Sequence, residues 1–283
     1  MPFYKSRRFW RKFNLVFSLL VSGFGAFLIL IPFVFMLSTS LKDPSQTVQF
    51  PPVWIPNPIV WQNYAQVFQV VPFAQFALNT VTITIFAVIG VVITGSMVAF
   101  SFSRLHWPGR NLIFFLIITE MFLPGPVTLI PKFIIFKSFG WINTFLPLIV
   151  PSYFGGGAFT IFLMRQFFLT ISPELDDAAR IDGCSTFGIY WRIILPLAKP
   201  AIGISAIFAI QYHWNDFFQP LIYLSTEDHF TLSLGLQMFR NEFMTIWNLL
   251  MAGSLMAMLP LIIFFLIAQK YYIQGIVFSG VKG

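Results

Sequence analysis

The sequence predicts an all-α membrane protein with six transmembrane helices. Three observations predict this fold class: the apolar composition, the positions of long apolar stretches and the distribution of basic residues. Hydrophobic residues make up 57% of the 283 residues and charged residues only 10%, with a mean hydropathy of +0.80. Soluble domains carry about 25% charged residues, so this chain has too little charge to keep its surface in water. Lipid is the expected solvent, and a soluble globular enzyme is excluded.

A membrane-spanning helix needs about 20 mostly apolar residues. Stretches of this kind place the six spans near 15–37, 76–102, 111–130, 145–164, 200–224 and 246–268. The segment 51–58 is uncharged as well, but it contains too many prolines for a helix. The first stretch is longer than a signal-peptide core, and no small-residue cleavage site follows it, so it is expected to remain as a span. The predicted organisation is an N-terminal segment (1–14), a six-span domain (15–268) and a C-terminal tail (269–283).

The basic residues predict the orientation of the chain in the membrane. An even number of spans puts both termini on one side. With the N-terminus in the cytoplasm, 13 of the 17 lysines and arginines lie on the cytoplasmic side, as the positive-inside rule expects. A multi-pass protein of the inner membrane with both termini in the cytoplasm is therefore predicted. This bias explains the net charge of +7 better than nucleic-acid binding does.

The loop between spans four and five (172–200) carries most of the functional information. Ser172 followed by Pro173 is typical of a helix start, because a hydroxyl caps the first turn and the missing N–H of proline costs nothing there. Acidic residues in the first turn suit the helix dipole. Gly183 is predicted to end this helix. A second short helix is predicted over 186–194, stopped by the proline two residues later.

Two alanines, Ala178 and Ala179, lie among the charges of the first short helix. They predict a smooth stripe of small residues that another protein surface can approach closely. A solvated cap that only connects two spans fits the spacing equally well. Spacing alone therefore does not choose between a docking surface and a solvated cap. The sequence pattern of the loop does.

The loop contains eight residues at fixed spacing: Asp177, Ala178, Ala179, Asp182, Gly183, Ile193, Leu195 and Pro196. This pattern resembles the EAA motif, which marks the membrane subunits of binding-protein-dependent ABC importers. Two positions depart from the motif. Asp177 replaces a glutamate and keeps its charge on a shorter stem, and Cys184 replaces an alanine.

Further segments are similar to the carbohydrate-uptake branch of this family, the MalG-like permeases. They are 40–42, 52–56, 63–64, 214–217, 220–221, 269–275 and 280–283. The resemblance covers nearly the whole chain from about residue 15. It implies a permease subunit that forms a sugar path by alternating access together with a second, homologous permease.

The resemblance also implies the other partners: two cytoplasmic ATPase subunits, an external solute-binding protein, a sugar substrate and membrane lipid, with no nucleic acid. The 283 residues contain no G-x-x-x-x-G-K-[ST] loop to cradle nucleotide phosphates. No cofactor is therefore expected in this chain, and ATP and Mg would be bound by the ATPase subunits.

Three regions receive roles from the resemblance. The resemblance implies that the ATPase is coupled through the helix with Asp177, Ala178, Ala179, Asp182 and Gly183. Contact with the binding protein falls to the loop 225–245, where Arg240, Asn241 and Glu242 are polar. Contact with the ATPase dimer falls to the tail 274–283. The alternative for the loop 225–245 is an ordinary solvent-exposed loop, and the alternative for the tail 274–283 is a frayed chain end.

Polar residues inside the predicted spans are the candidates for the substrate path. Glu120 lies near the middle of span three, where a charged side chain costs about 2.5–3.5 kcal/mol, so it is not expected to face lipid. It would line a cavity, be protonated or pair with a polar neighbour. The candidates in span five are Gln211, Trp214, Asn215 and Asp216. They suit a sugar, with an aromatic ring for stacking and polar groups for hydroxyls, but hydrogen bonding between helices uses the same residue types.

Other classes of function fit the sequence less well. An ion-coupled secondary transporter would use Glu120 and Asp216 as a relay and would work without an ATPase. The three histidines share no ligand spacing, so neither a metal site nor a catalytic set is expected, and an intramembrane enzyme is disfavoured. An importer of the same type for a non-sugar polar solute, such as a phosphorylated polyol, remains an alternative.

Overall fold

The structure is a computed structural model that describes residues 3–240 and 245–280, with side chains for 9–240 and 245–269. Helices account for almost all of its regular structure. Over these ranges no strand occurs, and an isolated antiparallel bridge pairs Arg240 with Thr245. The predicted all-α class is therefore confirmed for this part of the chain. Asn241 and Glu242, predicted to contact a binding protein, lie outside the described residues.

The helices follow one another along the chain, with residues 48–61 connecting α2 to α3. They are α1 (Phe3–Ser40), α2 (Pro44–Thr47), α3 (Gln62–Val70), α4 (Phe73–Arg104), α5 (Arg110–Thr119), α6 (Gly125–Ser138), α7 (Leu146–Ile149), α8 (Ala158–Thr170), α9 (Glu174–Ile181), α10 (Thr186–Ile189), α11 (Leu195–Leu197), α12 (Lys199–Asn215), α13 (Phe218–Tyr223), α14 (Leu232–Gly235) and α15 (Trp247–Gly280). A π-helical turn (Tyr190–Ile194) joins α10 to α11. Single 3-10 turns lie at Glu120–Phe122, Val150–Tyr153, Glu227–His229 and Leu236–Phe239.

Four segments of the described chain are long and apolar enough to cross a membrane. They are Phe9–Ser40, Phe73–Arg104, Leu146–Thr170 and Trp247–Gln269. Two bent helix pairs raise the number to as many as six if each pair forms one span. These segments overlap the stretches predicted from hydropathy, so a multi-span membrane protein is confirmed with four to six candidate spans. Helix α15 also continues past the predicted end of span six, and residues 281–283 of the tail lie outside the described chain.

Span three, predicted as one helix over 111–130, is broken in the structure. The segments Arg110–Phe122 and Gly125–Ser138 meet at an angle of 105°. Leu123 and Pro124 adopt extended conformations with ψ of 121° and 132°. A residue before proline disfavours the α region, and proline has no N–H to continue the helix. The prediction of a continuous helix is wrong here.

Span five, predicted over 200–224, is also interrupted. Helix α12 ends at Asn215, and Asp216 is extended with ψ of 117° before α13 begins. The Oδ1 atom of Asp216 accepts a hydrogen bond from the backbone N–H of Gln219 at 3.2 Å, which caps the first turn of α13. A local capping bond therefore stabilises the break. At its other end, α12 meets the segment Thr186–Leu197 at 78°.

The chain divides into two compact units. The first takes residues up to Val71 together with Phe239–Met256. Its centre is a buried polar cluster around Asn63. The Nδ2 group of Asn63 donates to the carbonyls of Ser40 at 2.8 Å and Lys42 at 2.9 Å, and Asn248 donates to Asn63 Oδ1 at 3.0 Å. These bonds fasten the ends of α1, α3 and α15 to one another.

The second unit takes Pro72–Met238 and the chain from Ala257. Helix α4 lies at its centre and packs against α8 and α12. Close approach depends on glycine: a Cβ added at Gly156 would lie 2.7 Å from the carbonyl oxygen of Val91. Gly155, Gly156 and Gly157 all have positive φ, so the chain is unwound just before α8.

A hydrophobic cluster at one end of α4 fixes the position of α9, α10 and α11. It combines residues of α4 and α8 with residues of the short helices that follow: Ala99, Phe100, Met164, Phe168, Ala179, Ile189, Tyr190, Ile194 and Ala198. The Tyr190 hydroxyl and the Ser96 hydroxyl share a hydrogen bond of 2.8 Å. The segment 172–198, named here the α9–α11 loop, is therefore packed against the spans rather than free in solvent.

Candidate functional site

Helix α9 begins and ends where capping chemistry predicts. The Ser172 hydroxyl accepts a hydrogen bond from the backbone N–H of Glu174 at 3.3 Å. At the other end, Gly183 has φ of 77° and donates to the Arg180 carbonyl at 3.0 Å, while Cys184 donates to the Ala179 carbonyl at 2.8 Å. These two bonds form a Schellman motif, which favours glycine at this position. The predicted helix start and stop are confirmed.

The second helical segment of the α9–α11 loop is longer than predicted. The Ser185 hydroxyl caps α10 by accepting from Gly188 N at 3.1 Å. Helical conformation then continues through the π-helical turn to Leu197. Pro196 does not stop it: the helical backbone continues to Leu197, although proline has no N–H to donate to the preceding turn. The predicted stop is wrong.

The residues predicted for ATPase coupling do not all lie on one surface. Asp177, Ala178, Asp182 and Gly183 are exposed. Ala179 is only 8% exposed and belongs to the hydrophobic cluster under the loop. The predicted stripe of two accessible alanines is therefore wrong for Ala179, since successive helix positions point in different directions. Ala178 remains on the accessible side.

An ion pair that sequence analysis missed anchors α9 to the spans. Arg104 Nη1, at the end of α4, lies 3.5 Å from Asp176 Oδ2, and both side chains are 7% exposed. Arg104 Nη2 also donates to the carbonyls of Phe168 at 2.8 Å and Ile171 at 2.7 Å, at the end of α8. One guanidinium thus joins α4, α8 and α9. We call the pair of Arg104 and Asp176 the α9 anchor.

Apolar and acidic side chains cover the accessible side of the α9–α11 loop. Leu175 and Ile181 of α9 are exposed, Ile181 at 87%. Glu174, Asp177 and Asp182 add negative charge around them. Beyond Gly183, the exposed Phe187 and Trp191 stack with ring centroids 6.4 Å apart. Exposed apolar groups rimmed by charge are typical of a protein-binding surface.

A cavity of about 740 Å³ lies within the second unit. The unwound glycines, α12 and the broken span contribute to its wall. Its polar lining residues are Glu120, Lys132, Ser152, Thr160, Gln211, Tyr212, His213 and Gln219. Phe159 and Phe208 also line it and pack edge to face at 5.2 Å. Glu120 begins the 3-10 turn before the bend of span three, so the break brings it to the cavity wall.

The structure brings two of the five predicted substrate-path residues, Glu120 and Gln211, to this cavity. Trp214 instead lines an apolar pocket of about 320 Å³ and donates from Nε1 to the Ala257 carbonyl at 3.0 Å. Asn215 donates to the Gln211 carbonyl at 2.9 Å, and Asp216 caps α13. These bonds are structural: the Trp214 bond joins α12 to α15, and the other two are local.

Six polar lining residues were not predicted as substrate-path residues: Lys132, Ser152, Thr160, Tyr212, His213 and Gln219. Tyr212 accepts a hydrogen bond from Gln219 Nε2 at 2.8 Å, which links α12 to α13 across the break. Their polarity within apolar stretches was a usable signal. Lys132 was counted only for topology because it was expected outside the membrane.

The beginning of the loop predicted to face a binding protein is held by Asn143. Its Oδ1 atom accepts from the backbone N–H groups of Ser225 at 3.0 Å and Thr226 at 3.1 Å. Asn143 itself has φ of 63°, a conformation that asparagine tolerates better than most residues. The entry into the loop is thus fixed by a side chain on a neighbouring turn.

Several apolar spans, a polar cavity among them and an anchored loop of short helices define a membrane-embedded transport subunit. The model of the family described as "Binding-protein-dependent transport system inner membrane component" matches residues 90–277. The chain belongs to this family, which confirms the resemblance carried by the EAA-like pattern and the predicted class of ABC importer permeases.

Individual relatives and structures agree with this assignment. The chain is 34% identical over 263 residues to the arabinooligosaccharides transport system permease protein AraQ of Bacillus subtilis, covering 90% of this chain and 92% of that one. It is 32% identical over 258 residues to the probable ABC transporter permease protein YurM of the same organism, covering 89% and 83%. The crystal structure of a bacterial ABC transporter that imports the acidic polysaccharide alginate matches with a TM-score of 0.80 and 27% identity, covering 93% of this chain and 97% of that one.

Proposed function

We propose that this chain is the permease subunit of an ATP-driven sugar importer and that α9 couples it to the ATPase. The observation that carries the proposal is the placement of α9: one side is accessible and acidic, and the other is tied to two spans by Arg104. A force applied to α9 from outside therefore reaches α4 and α8 directly. Nucleotide chemistry is left to partner subunits that bind ATP and Mg, because the 283 residues contain no phosphate-binding loop.

The proposed arrangement follows from the resemblance and the charge bias. Six spans within 15–268 place both termini and the loop 172–200 in the cytoplasm, with the tail 269–283 on the same side. Two ATPase subunits contact the α9–α11 loops of this chain and of a second, homologous permease. An external solute-binding protein delivers the cargo from the opposite side. Alternating access then arises when ATP-driven closure of the ATPase moves α9 and tilts the spans.

The chemistry of the cavity supports a carbohydrate cargo. Volumes of 300–1,000 Å³ are usual for sites that take small molecules, and about 740 Å³ lies in that range. Gln211, Tyr212 and Gln219 offer amide and hydroxyl groups that can both donate to and accept from sugar hydroxyls. Phe159 and Phe208 add apolar faces. The names of AraQ and of the alginate importer describe oligosaccharide and polysaccharide transport, which agrees with this assignment.

An anionic polar solute is the second candidate cargo. Lys132 places an ammonium group in the same cavity as Glu120, so a negatively charged group would find a partner there. Uptake measured with matched neutral and anionic oligosaccharides separates the two candidates. A secondary ion-coupled mechanism is not favoured, since Asp216 caps α13 and does not line the cavity with Glu120.

The neighbouring alanines of α9 provide a direct test of coupling. In a Cys184→Ala background, Ala178→Cys is expected to react with a maleimide in the separate chain and to be protected when the ATPase is bound. Ala179→Cys is the matched control, because its side chain faces the hydrophobic cluster and should react slowly in both states. Equal labelling of Ala178→Cys with and without the ATPase would contradict the proposed contact.

The cavity assignment predicts different effects for two residues of α12. Gln211→Ala removes a lining side chain, and loss of one hydrogen bond to cargo of about 0.5–1.5 kcal/mol corresponds to a roughly two- to tenfold rise in the KM for uptake. Asn215→Ala, whose amide bonds the helix backbone instead, is expected to leave the KM unchanged. Both variants should retain the bound ATPase. The assignment fails if Asn215→Ala raises the KM as much as Gln211→Ala.

A further inference from the structure

A second polar site lies where α4 ends and α5 begins. A small cavity of about 240 Å³ opens there, lined by His106, Trp107, Gly109, Arg110, Asn111 and Leu112. It shares no lining residue with the larger cavity. The site therefore plays no direct part in the proposed sugar path.

Two arginines converge on this turn from different helices. Arg110, at the start of α5, donates from Nη1 to the Leu105 carbonyl at 2.8 Å. Arg165 of α8 donates from Nε to the Phe102 carbonyl at 3.1 Å, and its guanidinium lies 4.1 Å from the centre of the Phe114 ring. The two carbonyls that they bind, of Phe102 and Leu105, lie three residues apart at the end of α4. Both arginines are held in place by backbone and ring contacts rather than by an opposite charge.

Over the described residues, neither of these two arginines forms an ion pair with a carboxylate. The ion pairs found there join Arg104 to Asp176 and Arg180 to Asp177, and neither includes Arg110 or Arg165. Two fixed cations without a counter-charge attract an anion, and arginine binds phosphate oxygens through two parallel N–H groups.

Helix α5, which begins at this site, has an exposed apolar face. Leu112, Phe115 and Leu116 are 64%, 65% and 58% exposed, and their spacing places them on one side of α5. Trp107 stands at the beginning of this face and donates from Nε1 to the Ser101 hydroxyl at 3.2 Å. A tryptophan with one polar bond and an apolar body is typical of the level of lipid headgroups.

We propose that this turn binds the phosphate of an anionic phospholipid between Arg110 and Arg165, with an acyl chain along Leu112, Phe115 and Leu116. The occupant is a lipid rather than free phosphate because the cationic site continues directly into an exposed apolar face. Basic pockets between membrane helices bind anionic headgroups in this way. The lipid would stabilise the end of α4 that also carries the α9 anchor.

The test uses the full-length chain, purified together with the subunits that co-purify with it. Native mass spectrometry after titration with phosphatidylglycerol measures lipid binding. Each of Arg110→Gln and Arg165→Gln is expected to weaken binding about fivefold, the effect of one basic side chain near an anionic headgroup. Lys137→Gln, which removes an exposed cation from the last turn of α6, is the matched control and should bind as the unaltered protein does.

A second measurement needs no variant. The melting temperature of the unaltered protein is compared in nanodiscs of phosphatidylcholine alone, with added phosphatidylglycerol, and with inorganic phosphate in the buffer. A melting temperature that rises with phosphatidylglycerol but not with phosphate supports the proposal. The same rise with phosphate identifies a free-anion site and overturns it, as does equal lipid binding by the Arg110, Arg165 and Lys137 variants. A lack of phosphatidylglycerol binding by the purified complex also overturns it, because a partner subunit would then cover the site.

Discussion

Asp176→Ala is expected to lower the free energy of unfolding by about 3–5 kcal/mol, the usual result of leaving one member of a buried ion pair without its partner. Arg104 and Asp176 are each 7% exposed, so water does not replace the lost carboxylate. The freed guanidinium would still hold the end of α8 but would no longer hold α9. Thermal unfolding of the detergent-purified chain, followed by tryptophan fluorescence, measures the loss.

The adjacent residue is the matched control. Asp177 pairs with Arg180 at 3.4 Å on the surface, where the two side chains are 70% and 53% exposed. Exposed pairs of this kind contribute at most about 1 kcal/mol, so Asp177→Ala should hardly change stability. The double variant Arg104→Met/Asp176→Leu is expected to recover only part of the lost stability, because it removes both buried charges but also the two hydrogen bonds from Arg104 to the end of α8. Equal destabilisation by Asp176→Ala and Asp177→Ala would contradict the α9 anchor.

Uptake and stability together distinguish the roles of Asp176 and Asp177. ATP-driven uptake is expected to fall in both variants, since one loosens α9 from the spans and the other changes the surface proposed to meet the ATPase. Only Asp176→Ala should lose stability as well. A combined measurement of uptake and unfolding therefore distinguishes a residue that transmits motion from one that makes the outer contact.

Apolar length and helix-end chemistry were readable from the sequence. Phe73–Arg104 and Trp247–Gln269 appear as spans because a long uncharged apolar run has few alternatives to crossing a bilayer. The ends of α9 were predicted at Ser172 and Gly183 because capping depends on neighbours only a few positions away.

The breaks within spans three and five were not predicted, because hydropathy averages over them. A Pro-Gly pair, Pro124 and Gly125, was a usable signal for the first break. The second depends on Asp216 finding the N–H of Gln219, a bond that competes with continued helix and is settled only by the surrounding packing. Both breaks matter for the site, because the residues near them line the cavity.

The sequence also does not predict which of the acidic residues of α9 are buried and which are exposed. Asp176 and Asp177 are adjacent and chemically identical, and helix periodicity places Asp176 on the same face as Ala179. That face is the buried one because Arg104 and the hydrophobic cluster of α4 and α8, far away in the chain, lie beneath it. Periodicity assigns residues to faces, but it does not say which face meets the protein.

Gly156→Ala is the second substitution with a large expected effect. Gly156 has φ of 68°, and an added Cβ would lie 2.7 Å from the Val91 carbonyl oxygen and 3.0 Å from the Val91 Cα. The atoms it meets are backbone, so they cannot move aside as a flexible side chain would. Backbone strain of about 1–3 kcal/mol adds to overpacking of about 1–3 kcal/mol. Loss of folded protein, measured as the monodisperse yield and the melting temperature in detergent, is the expected result.

Gly140→Ala isolates the contribution of the close approach. Gly140 has φ of 71°, nearly the same backbone conformation, but an added Cβ there meets no atom within 4 Å. It should therefore show the strain of about 1–3 kcal/mol without the clash. The difference between the two variants measures how tightly the unwound segment packs on α4, and equal losses would show that no such contact exists. Because Val91 and Gly156 both line the larger cavity, a Gly156→Ala protein that still folds is expected to have altered cargo affinity, whereas a folded Gly140→Ala protein should not.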